Sequence, residues 1–221
     1  MIRKSIILLF FSVVLGVGAF SQQARLSLSS DFSLQHAFKK DQRYWGFGQT
    51  VSAQLNLSPK DAAYIWFCYY SNGKVSNEVN AIAKSPATLP AQIAYTNRGE
   101  IGFKQISVGW RHYLKGDYAS EDWNLYGILG FGLVFGSATS TASAAIDTSL
   151  YDVPVLAGKG KFKRLTYDLG LGFEQPMGGD IYFYTEVKTF IPATDYPNQH
   201  LYVNDNAPLT AYLNLGFRIL F

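Results

Sequence analysis

The chain has 221 residues, 48% of them hydrophobic and 16% aromatic but only 16% charged, well below the roughly 25% charge of typical soluble domains. Nineteen basic against sixteen acidic side chains leave a formal charge of +3, with no basic stripe of the kind that binds nucleic acid. The single Cys68 excludes an intramolecular disulfide, and its aromatic surroundings in the sequence mark it as a small apolar residue, buried or lipid-facing.

Met1, Ile2, Arg3 and Lys4 form a short positive head, followed by an almost unbroken apolar stretch from Ser5 to Phe20 that ends in Ala19-Phe20-Ser21. These are the parts of a secretory signal peptide. Cleavage is expected before Gln22, so that residues 1–21 are the signal and residues 22–221 one β-barrel domain. Loss of Arg3 and Lys4 lowers the formal charge to +1. No cysteine stands at the cleavage point to accept a lipid, so the exported chain is expected to be free in the periplasm or integrated in a membrane.

Beyond the signal no apolar run is long enough for a transmembrane helix, yet segments of about ten residues alternate apolar and polar side chains to the end. They predict eight strands: Ala24–Leu34, Tyr44–Leu57, Ala62–Ser71, Gly99–Tyr113, Trp123–Gly136, Lys161–Glu174, Ile181–Ile191 and Leu209–Phe221. In the second, Trp45, Phe47, Val51, Ala53, Leu55 and Leu57 share one face, and Gly46, Gly48, Thr50, Ser52, Gln54, Asn56 and Ser58 the other. The sixth sets Leu165, Tyr167, Leu169, Leu171 and Phe173 against Arg164, Thr166, Asp168, Gly170, Gly172 and Glu174. Helical spacing would mix both pairs of sets. The third strand is apolar on both faces and takes no orientation from its pattern. In the fourth, Ile101 and Phe103 are out of phase with Ile106, Val108 and Trp110, which predicts a β-bulge near Lys104-Gln105.

The connections alternate in length. Ser58–Asp61, Leu114–Asp122 and Gln175–Asp180 are short, and Gln35–Arg43 is the first connection of the other set, followed by the long Asn72–Arg98, Ser137–Gly160 and Pro192–Pro208. With both termini periplasmic, the long set faces outside. Ser137–Ala145 is almost all Ser, Thr, Ala and Gly and is expected to be mobile.

A sheet with one apolar face must bury it against another layer, and this chain offers no second layer. Lipid is the remaining solvent, and in hydrocarbon only a closed sheet pairs every backbone N–H and C=O. Ten residues at ~3.3 Å each and a ~40° tilt cross roughly 25 Å, the height of the apolar band of an outer-membrane barrel. The fold class is therefore all-β, an eight-stranded antiparallel up-and-down transmembrane barrel; a soluble β-barrel or sandwich is the alternative. Trp45, Trp66, Trp110 and Trp123 fall near predicted strand ends, as an interfacial aromatic belt would place them.

In the last strand Leu213, Leu215, Phe217, Ile219 and Phe221 alternate with Tyr212, Asn214, Gly216 and Arg218. The pattern of Asn214, Gly216, Ile219 and Phe221 resembles the assembly signal of outer-membrane proteins handled by the barrel-assembly machinery, where strand addition pairs the signal's backbone with an edge of the machine. The mature chain as a whole looks like the eight-stranded outer-membrane proteins of the OmpA-barrel and OmpX type, also described as the outer membrane protein β-barrel or porin family. The resemblance implies integration in the Gram-negative outer membrane, with outer-membrane lipid and the assembly machinery as partners and no cofactor.

An eight-stranded barrel is just wide enough for its own side chains, which excludes a large aqueous pore. The inward set is expected to include Arg25, Asp31, Lys104, Arg111, Arg164, Asp168, Glu174, Glu186, Lys188 and Arg218, with Asp168, Glu186, Lys188, Arg164 and Arg218 pairing as a lumen ion network. The leading functional expectation is a structural or interaction role, displaying outer loops or serving as accessory subunit of a larger envelope complex. A narrow channel for small solutes and an outer-leaflet lipid-modifying enzyme are the alternatives. His36 and His200, with Asp195, fall in the first and last outer loops, while His112 lies at the opposite rim. No hydrolase, metal-ligand or phosphate-loop motif accompanies them, so no catalytic, cofactor or metal residue is assigned.

Overall fold

The computed structural model describes residues 25–38, 43–193, 200 and 210–221. The expected signal peptide and Asp195 lie outside the described residues. Among the described residues nine strands follow in order: β1 Arg25–Ala37, β2 Tyr44–Asn56, β3 Asp61–Ala83, β4 Gln92–Lys115, β5 Asn124–Ala142, β6 Tyr151–Asp152, β7 Gly158–Gly178, β8 Ile181–Pro192 and β9 Thr210–Leu220. Eight of them pair antiparallel with their neighbours around a ring that closes between β1 and β9, while the two-residue β6 pairs with the tip of β3. Closure leaves no unpaired edge within the ring.

Side chains alternate across the wall. Phe32, Val51, Phe67, Val108, Phe131, Leu171 and Phe217 stand exposed on the outer face, while Ser27, Asp31, Thr50, Gln105, Asp168 and Arg218 are buried inside. An apolar surface that continues around a closed sheet with a polar filling is the inverse of a soluble barrel, so the outer face is the one that meets hydrocarbon. Both faces of β3 are resolved by the same rule: Ile65, Phe67 and Tyr69 face lipid, and Ala62, Trp66, Cys68 and Tyr70 face the lumen.

Several expectations are corrected, first among them the connections Asn72–Arg98 and Ser137–Gly160. These are strand as far as Ala83, again from Gln92, as far as Ala142 and again from Gly158, because backbone pairing carries these strands past the barrel. The predicted bulge at Lys104-Gln105 is absent, because β4 pairs with β5 without interruption there. Ile101 and Phe103 keep the inward phase and join an apolar layer of the lumen, so the pattern registered a change of filling rather than a change of phase. The extra residue sits instead on β3, where the register shifts between Tyr70 and Gly73. Ser137–Ala142 of the expected mobile segment is strand, paired with β4 on one side and in part with β7 on the other; backbone ladders on both sides order a segment that its side chains alone could not. Trp66 is not in an outer belt but 2% exposed inside the barrel. Lys104 points outward rather than inward, and Arg25 is exposed at the rim.

The strands differ in length in a way that shapes the molecule. β1, β2, β8 and β9 run 11 to 13 residues, whereas β3 and β4 run 23 and 24 and β5 and β7 run 19 and 21. The excess all lies at the rim opposite the chain termini. Beyond Gly73, β3 continues for ten residues to Ala83, roughly 30 Å at strand rise, as one edge of a sheet projecting past the barrel.

Candidate functional site: the filled lumen and the projecting sheet

The lumen is layered along its axis. Nearest the termini, Arg218 from β9 is 1% exposed and donates through Nε to Glu174 Oε2 at 2.8 Å and through Nη2 to Glu174 Oε1 at 2.5 Å. Asn124 Nδ2 also donates to Glu174 Oε1 at 3.1 Å. The remaining donors of the guanidinium reach Ser27 Oγ at 3.0 Å and the carbonyl of Tyr118 at 2.9 Å, and the Tyr182 ring stacks 4.0 Å from it. Tyr118 belongs to the β4–β5 connection, so this turn folds across the mouth of the barrel.

One layer further in, Arg111 donates to Glu186 Oε1 at 2.8 Å and stands 3.6 Å from Glu174 Oε2, with the Tyr126 ring 4.0 Å away. Lys188 Nζ lies 2.6 Å from Glu186 Oε2 and 4.6 Å from the Trp66 ring. Next, Asp31 accepts from Tyr184 Oη at 2.7 Å, and Asp168 accepts from Thr166 Oγ1 at 2.9 Å and Gln105 Nε2 at 3.2 Å. Among the described residues the buried charges are four anions, Asp31, Asp168, Glu174 and Glu186, and four cations, Arg111, Arg164, Lys188 and Arg218. Equal numbers are what a medium of low dielectric demands, since an unpaired ion there costs several kcal/mol.

Above this layer the filling turns apolar. Trp66, Tyr70, Phe103, Phe162, Phe190 and Tyr212 pack with Tyr44, Ile101 and Val134 into one cluster, with Phe190 and Tyr212 ring centroids 4.2 Å apart. Small residues make room for such bulk. Gly109 and Gly130 face each other across β4 and β5 under the Tyr64 hydroxyl, and a Cβ on either would stand 2.4 to 2.7 Å from strand backbone.

Of the network expected from sequence, the structure joins Glu186 to Lys188 and gives Arg218 a different partner, Glu174. Asp168 is held by hydroxyl and amide groups, while Arg164 lies higher, lining a small cavity with Phe103, Phe190 and Tyr212. Arg111 and Glu174 connect the two ion pairs. Sequence placed both inward but could not join them, because their common height depends on register across β4, β5, β7 and β8.

The last strand has Asn214 fully buried, accepting from Ser33 Oγ at 2.6 Å, and Gly216 inward beside Asp31. Ile219 and Phe221 face outward, and the Phe221 amide donates to the Leu26 carbonyl at 2.8 Å. His36 stacks on Trp45 at 4.2 Å, whereas His200 Nδ1 bonds the Leu156 carbonyl at 2.8 Å beside Gly158. His112 Nδ1 meets Asp61 Oδ1 at 2.8 Å, to which Trp110 Nε1 also donates at 2.9 Å. These bonds, His112 first, hold the Asp61 carboxyl below the usual carboxylate range at the rim near the termini.

The projecting sheet has its own small core. Val79, Ala81, Tyr95 and Tyr151 are buried together, supported by Ile93, Ile146 and Val153. Tyr151 Oη donates to the Pro90 carbonyl at 3.0 Å and Lys84 N to the Leu150 carbonyl at 2.9 Å, tying the β5–β7 connection onto the tip of the β3–β4 hairpin.

The closed ring of eight antiparallel strands is an architecture shared with several solved structures. Neisserial surface protein A aligns over 89% of this chain and 97% of its own with a TM-score of 0.53 and 12% identity. The chain has the fold of the small outer-membrane β-barrels. A major outer membrane protein from Thermus thermophilus covers 90% of this chain and 100% of its own at TM-score 0.53 and 10% identity. OprG, an outer membrane protein from Pseudomonas aeruginosa, covers 90% and 96% at TM-score 0.50 and 11% identity. No protein-family model and no curated protein matches the sequence.

Proposed function

We propose that this protein is an integral barrel of the Gram-negative outer membrane with both termini in the periplasm, and that its role is structural and interactive rather than catalytic or conductive. The barrel is a rigid anchor, and the sheet built by the ends of β3, β4, β5 and β7 is the surface it presents, outside the cell, to a protein partner or a larger envelope complex. The observation that carries this reading is the projecting sheet itself, ten residues beyond Gly73 on β3 with its own buried cluster. Ordered backbone displayed on a rigid scaffold is suited to recognition. Conduction is disfavoured by the aromatic layer above the ion pairs, where an ion would shed its water against Trp66, Tyr70, Phe103 and Tyr212. During biogenesis Asn214, Gly216, Ile219 and Phe221 serve as the signal read by the barrel-assembly machinery, the inward pair fixing the strand's phase and the outward pair offering the apolar face.

The test is site-specific photo-crosslinking in intact cells from Ser76 and Thr96 on the sheet and from Leu169 on the barrel wall, with a protease site placed in the exposed turn at 85–90. Cleavage from outside and discrete protein adducts at Ser76 and Thr96, but not at Leu169, are expected. Protection of the turn would overturn the orientation. Absence of adducts together with unitary conductance of the purified barrel in planar bilayers would overturn the interactive role in favour of a channel.

A further inference from the structure

The outer wall of β3, β4, β5 and β7 changes character abruptly where it leaves the apolar band. Cross-strand partners place Phe67, Ile106, Leu133 and Leu165 in one outward row, wholly apolar. The next row toward the projecting sheet is Tyr69, Lys104, Phe135 and Lys163, in which aromatic rings and ammonium groups alternate. Lys104 Nζ stands 5.5 Å from the Tyr69 ring and Lys163 Nζ 5.8 Å from Phe135. Lys161 follows beside Ser137, then Lys74, Glu100, Thr139 and Lys159, then Arg98. All of these cations are exposed, and among the described residues the one ion pair they form is Lys74 with Glu100 at 3.5 Å.

The opposite rim is different. There Asp61 pairs with His112 and Asp122 with Lys115 at 3.4 Å, with Asp117, Glu121 and Asp180 in the adjoining turns. The two ends of the same wall therefore carry opposite excess charge.

Two surface grooves bracket the cationic rows. The lower, about 450 Å³, is lined by Val51, Phe67, Ile106 and Phe135 with Lys104 at its upper end. The upper, about 580 Å³, is lined by Lys74, Arg98, Glu100, Thr139 and Thr141. Between them the outward positions on β4, β5 and β7 are Gly102, Ser137 and Lys161, two small residues with a further ammonium group beside them. An apolar groove, a line of unmatched ammonium groups at the hydrocarbon boundary and a polar hydroxyl-bearing groove above it form a sequence of chemistries along the membrane normal.

We propose that this wall binds a phosphorylated, acylated glycolipid of the leaflet it faces. An acyl chain lies in the lower groove, the phosphates sit between Lys104, Lys161 and Lys163, and the sugar hydroxyls meet Thr139, Thr141 and Arg98. Each lysine stem covers apolar wall while its ammonium reaches headgroup depth. The proposal rests on the orientation given above only for which leaflet is meant. The protease site at 85–90 tests that separately, and a barrel in vesicles can bind the lipid whether or not the projecting sheet has a protein partner.

The full mature chain is reconstituted in phosphatidylcholine vesicles containing a minority of lipid A, of dephosphorylated lipid A or of phosphatidylglycerol. Lipid retained after detergent release is then counted by native mass spectrometry. The wild type should retain lipid A, and the triple variant Lys104→Gln, Lys161→Gln, Lys163→Gln should retain it at least about tenfold more weakly. Lys60→Gln with Lys115→Gln at the other rim should change nothing, and the triple arginine variant should restore retention. An unchanged heat-modifiable band shows that each variant is folded. Undiminished retention by the glutamine variant, or retention of dephosphorylated lipid A, would overturn the site. Equal retention of phosphatidylglycerol would overturn the assignment to a glycolipid.

Discussion

Glu174 is the most connected anion of the lumen, and Glu174→Gln is the sharpest perturbation of it. The wild-type carboxylate is 0% exposed and accepts from Arg218 at two points and from Asn124, with Arg111 3.6 Å away. Glutamine keeps the volume but removes the charge, leaving Arg218 buried without an anion and Arg111 with Glu186 alone. Breaking a buried pair from one side costs about 3–5 kcal/mol, because the surviving ion keeps its desolvation penalty. Removing both partners together should cost less than the two single losses summed, since neither ion of the Glu174–Arg218 pair is then left buried without its counter-charge. The variants Glu174→Gln, Arg218→Met and the double are compared by urea unfolding of the barrel in lipid vesicles. Each single variant should lose about 3–5 kcal/mol and the double should recover at least about half of one single loss, a coupling expected of residues in direct contact. Single losses below about 1 kcal/mol with additive behaviour would show that water or lumen relaxation supports the ions, and would refute the view that the pair is a structural plug.

Leu169 faces hydrocarbon near the middle of β7, so Leu169→Arg should destabilise by about 2–4 kcal/mol in the same assay, while Thr166→Ser on the lumen face should be mild; equal tolerance of both would reverse the assigned faces. Asp61 has a folded pKa below its ordinary value through His112 and Trp110, so its contribution to stability is present above the carboxylate range and is lost as pH falls through that lower folded value. Asp61→Asn should therefore flatten the acid limb of the unfolding curve and leave stability near neutrality only slightly reduced; an unchanged acid limb would place the proton-linked loss elsewhere. Phe221 is 65% exposed on the outer face, so Phe221→Ala should cost less than the ~1.5–3 kcal/mol of a fully buried Phe yet sharply lower the amount of folded protein in cells. Equal losses in cells and in refolding into pure lipid would make Phe221 an ordinary interfacial residue.

Period-two alternation is enough to determine the class of fold, because in a membrane wall each strand's two faces meet different solvents and record that difference residue by residue. The faces of β2 and β7 follow their patterns for Trp45, Phe47, Val51 and Leu55 and for Leu165, Tyr167, Leu169, Leu171 and Phe173, while Tyr44 and Phe162 join the aromatic filling of the lumen. Where a strand carries apolar residues on both faces the pattern falls silent, and β3 needed its neighbours before Trp66 and Cys68 could be turned inward. The displaced bulge has the same origin. Ile101 and Phe103 are apolar because the lumen changes from ionic to aromatic at their height, and a one-dimensional alternation cannot separate an apolar lumen from lipid.

By itself, then, the sequence determined the eight membrane-crossing strands, their closure and the lipid face of those with one apolar face, since these depend on local alternation and on the requirement that backbone groups be paired in hydrocarbon. Its alternation assigns the extensions of β3, β4, β5 and β7 past the barrel to connections. Only the tertiary structure decided which charges meet, because Glu174 reaches Arg218 and Arg111 through the register of strands far apart in the chain. It alone decided that Ser137–Ala142 is ordered, through ladders on both edges, and that Lys104, Lys161 and Lys163 form one cationic wall. The heights of residues around a ring are set by cross-strand pairing, a quantity that no single strand contains.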